Sequence, residues 1–262
     1  MKGVPGGPED VAKGGPLCYI IFMIPIKDTV PRRTFPFATL AIIAVNGLVF
    51  LFELSLTEPQ LNRFVYLFGM VPARYSHPAW ATMLGLPLDS YWSFMTSLFL
   101  HGGWLHVVGN MWFLYLFGDN VEDRLGPVRF ILFYLLAGLA ANLIHFLVNH
   151  ESAMPVIGAS GAIAGVMAAY LRLFPTARII TLLPVLFVPF FFEIPAVFFM
   201  LFWFFLQLFS GAASLVVAQG GGGIAWWAHV GGFVVGFLLV KPLCSRRVGG
   251  CHSDEAYHYV YR

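Results

Sequence analysis

Charge is scarce in this chain: only 11% of its 262 residues are Asp, Glu, Lys or Arg, against roughly 25% in soluble domains. So few charges cannot cover the surface of a water-soluble globule. The net charge of +2, with no basic run carrying interleaved aromatics, argues against a nucleic-acid partner. Cysteine is equally sparse. Cys18, Cys244 and Cys251 are too few and too scattered for a disulfide framework. Cys244, Cys251 and His252 could join a metal site, but a fourth ligand at zinc-like spacing is missing, so a reduced tail without metal is the expectation. The sequence lacks an HExxH motif and paired carboxylates in its apolar segments, which argues against metal-dependent and aspartyl hydrolysis. It also lacks an inverted repeat and a charge at mid-segment, which argues against a solute transporter.

What is abundant is apolar: 59% of the chain, with 27 Phe. A hydrocarbon core about 30 Å thick takes about 20 residues of helix. Runs of that kind lie near 35–56, 94–117, 130–148, 153–171, 194–217 and 224–240. A further apolar stretch, Ile179–Phe192, contains Pro184 and Pro189. Proline breaks an interior helix, so this stretch is expected to be an interfacial loop and not a seventh span. The fold class that follows is an all-α membrane protein of six transmembrane helices, with a long outer loop (57–90) between the first two. Its domain is expected over 34–242, flanked by an N-terminal tail (1–33) and a C-terminal tail (243–262). Residues 1–16 are Gly/Pro-rich and polar, which predicts disorder and does not resemble a signal peptide. Met23 begins a more compact version of the chain, so residues 1–22 are expected to be dispensable.

Six spans leave both termini on one side, and the cations decide which. Lys2, Lys13, Lys27, Arg32, Arg33, Arg124, Arg129, Arg172, Arg178, Lys241, Arg246, Arg247 and Arg262 fall on the side of the termini; Arg63 and Arg74 fall opposite. The excess of Lys and Arg on cytoplasmic segments makes both termini cytoplasmic.

Polar side chains inside apolar spans are costly, so those present are informative. Ser160 lies 12 residues before Arg172, His229 lies 12 before Lys241, and Asn110 and His106 lie 14 and 18 before Arg124. At about 1.5 Å per residue, three helices bring these four groups to a similar level, ~18 to 27 Å above their inner anchors. Small residues accompany two of them. Gly158-Ala159-Ser160-Gly161 is followed by Ala164, Gly165 and Ala168, and Ala228-His229 by Gly231, Gly232 and Gly236. Small residues four apart let membrane helices approach closely. Gly236 lies about 20° round the helix from His229, so the smooth face is also the His face. A lone Ser or His in a span is ordinarily explained by local packing. Matched depth beside two smooth faces points to a pair in which the imidazole activates the hydroxyl. His106 and Asn110, four residues apart, share one side of the second span and offer uncharged donors to a developing oxyanion.

On these residues the chain resembles the rhomboid intramembrane serine proteases, over about residues 23–242. His106-Val-Val-Gly-Asn110 looks like the family's HxxxN, Gly158-Ala159-Ser160-Gly161 like its GxSG, and Ala228-His229 with Gly232 and Gly236 like its AHxxGxxxG. Glu122 and Arg124 match its ExR, a structural pair. The resemblance implies a Ser160 nucleophile, His229 as general base and acid, and an oxyanion site formed by His106, Asn110 and the Ser160 backbone N–H. It implies supporting roles for Gly158, Gly161, Gly232, Gly236, Glu122 and Arg124, and no cofactor or metal. The fourth helix is expected to begin deep, below an inward-diving loop, with water entering from the outer face. No third carboxylate is expected, since neither Glu53 nor Glu193 is placed to orient the His. The implied substrates are single-span membrane proteins cut near the outer face of a bilayer, here a bacterial inner membrane. Access would lie between the second and fifth spans, at Phe198–Phe205 and the run Gln219–Gly223.

Two departures stand out. Trp92-Ser93 occupies the place of the family's Trp-Arg, and Ala164 occupies the place of an aromatic that stacks on the catalytic His in some members. His229 is then expected to be held by Trp226 or Trp227. The alternative readings are a non-catalytic rhomboid-fold protein that binds transmembrane helices, and a small-solute transporter.

Overall fold

The computed structural model describes residues 24–185, 188–216 and 225–244. The expected tails up to Met23 and from residue 245, with Cys251 and His252, and the run Gln219–Gly223 lie outside the described residues. In chain order the main elements are β1 (Ile24–Asp28), α1 (Phe37–Ser55), α2 (Trp104–Leu125), α3 (Pro127–Val148), α4 (Ser160–Leu173), β2 (Arg178–Val185), β3 (Val188–Pro195), α5 (Ala196–Val216) and α6 (Trp226–Leu243). The long segment between α1 and α2 holds short helices, among them Glu58–Phe68 and Pro78–Met83.

Helices α1, α3, α5 and α6 are long and apolar enough to cross a membrane. The outward faces of the bundle expose Leu48, Leu51, Leu132, Leu147, Phe198, Phe205 and Phe209. Bare hydrocarbon of that extent is stable against lipid and not against water: the chain is an integral membrane protein. The other two long helices depart from the sequence expectation. The second run, placed at 94–117, becomes α2 ten residues later, because Gly102 and Gly103 interrupt the chain ahead of Trp104. The fourth, placed at 153–171, is helical only over the 14 residues Ser160–Leu173. At about 1.5 Å per residue α4 is ~21 Å long, too short to cross alone. Its N-terminus therefore sits below a non-helical segment, 151–159, that reaches inward.

α4 is the axis of the bundle. From Gly161 to Leu171 it is buried throughout, packed on α2, α3 and α6. Its approach to α6 is backbone on backbone. A Cβ at Gly232 would fall 1.9 Å from the Gly161 carbonyl oxygen, and one at Gly236 would fall 2.3 Å from the Gly165 Cα. The smooth faces expected from the sequence do meet, at a distance that only glycine permits.

Two neighbouring carboxylates of α2 tie its end to the start of α1 and to the residues just before it. Glu122 accepts the N–H groups of Ala38 and Thr39 at 2.9 and 2.8 Å and the Thr39 hydroxyl at 2.8 Å. These are orphan donors of the first turn of α1, which has no cap of its own. Asp123 accepts the N–H groups of Arg33 and Thr34 at 2.7 and 2.9 Å and the Thr34 hydroxyl. Arg124 lies over the Phe174 ring at 5.0 Å. Gly126, at φ +79°, ends α2, and Pro127 starts α3 where a missing N–H costs nothing.

The helical bundle stands as expected, with one addition that an all-α reading leaves out. Ile179–Phe192, expected as an interfacial loop, belongs to the antiparallel hairpin β2–β3, and β1 pairs with the other edge of β2. Residues 24–28, assigned to the N-terminal tail, are thus part of the fold. Pro184 and Pro189, which break a helix, face one another near the hairpin tip, beyond the stretch 179–182 that pairs with β1. The β-branched and aromatic residues that flank them, Ile179–Thr181 and Phe190–Phe192, suit strands. Arg178 and Glu193 pair across the hairpin at 2.8 Å, and Trp112 of α2 donates to the Pro25 carbonyl at 2.7 Å.

The sheet end carries a buried acid. Asp28 accepts from the Tyr170 hydroxyl and, at 2.9 Å, from Asn120 Nδ2. Burial, reinforced by the nearby Asp119, pushes its carboxyl up to about 7 despite the Tyr170 bond. An acid whose folded pKa exceeds its unfolded value favours the fold at low pH, and that advantage is lost as pH rises from about 4 through about 7. Asp28→Asn keeps an acceptor without the charge. Its stability in detergent, followed through the thermal midpoint, is expected to gain on the wild type as pH is raised from 5 to 8, by of the order of 2 kcal/mol. Parallel curves for the two proteins would refute this.

Candidate active site

Ser160 is the first residue of α4 and His229 lies in the first turn of α6. The glycine contact that joins these helices also sets their registration. Ser160 Oγ and His229 Nε2 are 2.7 Å apart, and His229 is buried while Ser160 is half-buried. Both open onto a cavity of about 400 Å³ whose walls include His106, Asn110 and Phe113 of α2 and Trp203 and Gln207 of α5. With the hydroxyl as donor, Nε2 is the unprotonated ring nitrogen, so the imidazole is set to receive the serine proton.

The remaining polar groups converge on Gly158. This residue has φ +119°, a left-handed conformation that disfavours any side chain, and its N–H donates to the Ser97 carbonyl at 2.8 Å. A Cβ there would fall 2.6 Å from His106 Nε2 and 3.5 Å from Asn110 Nδ2. His106 Nδ1 accepts the Gly102 N–H at 3.3 Å. That leaves its proton on Nε2, the nitrogen facing Gly158. Asn110 Nδ2 donates one hydrogen to His101 Nε2 at 3.0 Å and has a second to offer. The first amides of α4 have no partner within the helix and carry its positive dipole end. Two neutral side-chain donors and a helix N-terminus thus surround the position beside the Ser160 hydroxyl where an oxyanion would form.

Behind these donors stands a support that sequence reasoning missed. Glu53, given no role in orienting the dyad, is buried on α1 and accepts the backbone N–H of His101 at 3.1 and 3.3 Å. His101 in turn holds Asn110. The spacing of Glu53 to His101 carries no local signal, because the two lie 48 positions apart in the chain. The loop supplies its own anchors: the fully buried Arg74 donates to the carbonyls of Tyr66 and Leu67, and the Tyr75 hydroxyl bonds Ser93 Oγ at 2.5 Å. At the loop end, outside the cavity, His77 holds the exposed Glu151 carboxyl below the usual carboxylate range through a hydrogen bond.

The support for His229 differs from the expectation. Trp226 meets the imidazole only edge-on, at 6.3 Å, and the Trp227 indole N–H has no hydrogen-bond acceptor. The contacts come from α5, where Trp203 lies 5.8 Å from the ring at 40° and Gln207 Oε1 sits 2.7 Å from Nδ1. A Gln within an apolar span is the signal that could have drawn attention to it.

A helical membrane protein with a hydrogen-bonded Ser–His pair and adjoining uncharged donors is the class that this geometry defines. The Rhomboid domain matches residues 88–246, and the chain belongs to the rhomboid family. It is 34% identical over 125 residues to "Rhomboid-like protein 11, chloroplastic" of Arabidopsis thaliana, covering 47% of this chain and 40% of that one. It is 33% identical over 147 residues to "Presenilin-associated rhomboid-like protein, mitochondrial" of Rattus norvegicus, covering 55% and 35% respectively. The rhomboid protein YdcA of Bacillus subtilis (strain 168) is 32% identical over 116 residues, covering 42% of this chain and 57% of that one. The chain thus spans between about a third and just over half of the length of these relatives.

Gly158→Ala is expected to leave the bundle folded, because the residue lies in the loop segment. It should lower any Ser160-dependent reaction by at least ~100-fold, the scale of a lost oxyanion donor, since the methyl group occupies the space between His106 and Asn110. Wild-type reactivity of Ser160 toward a fluorophosphonate probe in this variant would contradict the assignment.

Proposed function

We propose that this chain is an intramembrane serine endopeptidase that cleaves transmembrane helices of single-span membrane proteins. The observation that carries the reading is the 2.7 Å contact of Ser160 Oγ with His229 Nε2 at the wall of a cavity. Membership of the rhomboid family supports it. In the proposed reaction the Ser160 oxygen attacks the scissile carbonyl carbon as its proton passes to His229 Nε2. The carbonyl oxygen becomes the oxyanion, met by His106 Nε2–H, Asn110 Nδ2–H and the Ser160 N–H. Collapse breaks the C–N bond, and His229 delivers its proton to the departing amine. A water molecule, deprotonated by His229, then hydrolyses the Ser160 ester. A helical peptide bond is shielded by its own hydrogen bonds, so the reading favours substrates that unwind near the loop face.

The reading extends to orientation. Among the described residues Lys27, Arg32, Arg33, Arg124, Arg129, Arg172, Arg178 and Lys241 belong to the sheet end of the bundle, and Arg63 and Arg74 to the opposite end. This asymmetry supports a cytoplasmic sheet end with both termini on that side, and cleavage near the outer face, here of a bacterial plasma membrane. Residues 34–242 would form the proteolytic unit.

Purified protein incubated in detergent with a reporter single-span substrate is expected to cleave it, and Ser160→Ala and His229→Ala are each expected to abolish the product. Cleavage that survives Ser160→Ala would sink the proposal. Asn110→Ala should retain activity reduced by about 10- to 1000-fold, the range for one oxyanion donor; an undiminished rate would remove Asn110 from that role.

A further inference from the structure

The contact between His229 Nδ1 and Gln207 Oε1, at 2.7 Å, has a chemical direction. For the Ser160 hydroxyl to donate to Nε2, the single proton of a neutral imidazole must sit on Nδ1. Nδ1–H then needs an acceptor. An amide oxygen is one, whereas the amide nitrogen would force the proton onto Nε2 and disarm the pair. When Nε2 takes up the serine proton, the ring donates from both nitrogens and the same carbonyl oxygen continues to accept. Aqueous serine proteases give this task to a carboxylate. A charge buried in an apolar bundle costs several kcal/mol even when paired, and a primary amide orients the ring without one.

We propose that Gln207 is the positioning residue of the Ser160–His229 dyad, and that α5 is thereby part of the catalytic unit; the proposal rests on the protease reading above. Gln207 is 8% exposed, and Trp203, one turn earlier on the same helix, lies over the ring that Gln207 holds. α5 is otherwise a peripheral helix whose Phe198, Phe202, Phe205 and Phe209 face outward. It lines the cavity opposite His106 and Asn110 of α2, and the Phe113 and Phe199 rings, stacked 6.5 Å apart, join α2 to α5. Any displacement of α5 away from α6 withdraws Trp203 and Gln207 from His229 together. Seating of α5 is therefore a condition for a competent dyad, and not only a wall of the site.

The test is Gln207→Met, which fills the same space without an acceptor, compared with Gln207→Glu, which retains one. Three readouts are needed: kcat and KM on the reporter substrate, labelling of Ser160 by a small fluorophosphonate, and the thermal midpoint. Gln207→Met is expected to lose about 10- to 100-fold in kcat and in labelling rate, with KM within about twofold and the midpoint unchanged. Gln207→Glu should recover most of the loss. A Met variant with wild-type kcat, or one whose kcat falls only in step with its midpoint, overturns the positioning role. If the wild type itself shows no Ser160-dependent cleavage, the protease reading fails instead, and the two failures are told apart by that control.

Discussion

The contact of α4 with α6 is the constraint on which the rest depends. Gly161 and Gly165 lie against Gly232 and Gly236 so closely that a single methyl group would overlap backbone atoms. Only at this separation can a side chain as short as serine, at the start of one helix, reach an imidazole in the first turn of the other. Hydrogen bonds weaken steeply beyond about 3.2 Å, so a shift of one ångström between these helices would separate the pair without unfolding anything. The remaining elements of the bundle hold that separation. α2 and α3 enclose α4 from other sides, and Glu122 and Asp123 bind the start of α1 and the loop leading into it to the far end of α2.

The second organising fact is the cost of polarity inside an apolar bundle. At the candidate site it is met by linking neutral groups in relays. Gln207 holds His229, which meets Ser160; the Gly102 N–H holds His106; His101 holds Asn110. Each relay satisfies a buried polar atom and at the same time selects which nitrogen of a histidine carries its proton. The acid in this region, Glu53, is spent on a backbone N–H behind the site and does not touch the dyad. At the opposite end charge is tolerated, and carboxylates there cap helix α1 and bind the β1 strand. The two ends of the bundle therefore do different work with different chemistry.

Placing the orienting group on α5 separates the two halves of the candidate site. Ser160, His229 and the uncharged donors belong to α2, α4 and α6, which pack tightly. The group that fixes the tautomer belongs to a helix whose long aromatic face is turned outward. A site built this way links the position of one peripheral helix to the protonation pattern of its imidazole.

Much of this was present in the residue order alone. Scarcity of charge and six apolar runs determine a helical membrane protein, because hydrocarbon admits little else. Ser160, His229, His106 and Asn110 stand out because a polar side chain in such a run is expensive, and their similar distances from basic anchors give their depth. The small-residue spacing around Ser160 and His229 shows which faces can touch. What only the tertiary structure decided depends on contacts between residues far apart in the chain. Glu53 meets His101, Gln207 meets His229, and residues 24–28 pair with a hairpin more than 150 residues later. The hairpin itself escaped because Pro184 and Pro189 reveal that a helix is broken, while the strand that replaces it is stabilised by partners outside its own sequence. Local pattern reports the solvent that a residue must face; it takes the assembled bundle to say which neighbour satisfies it.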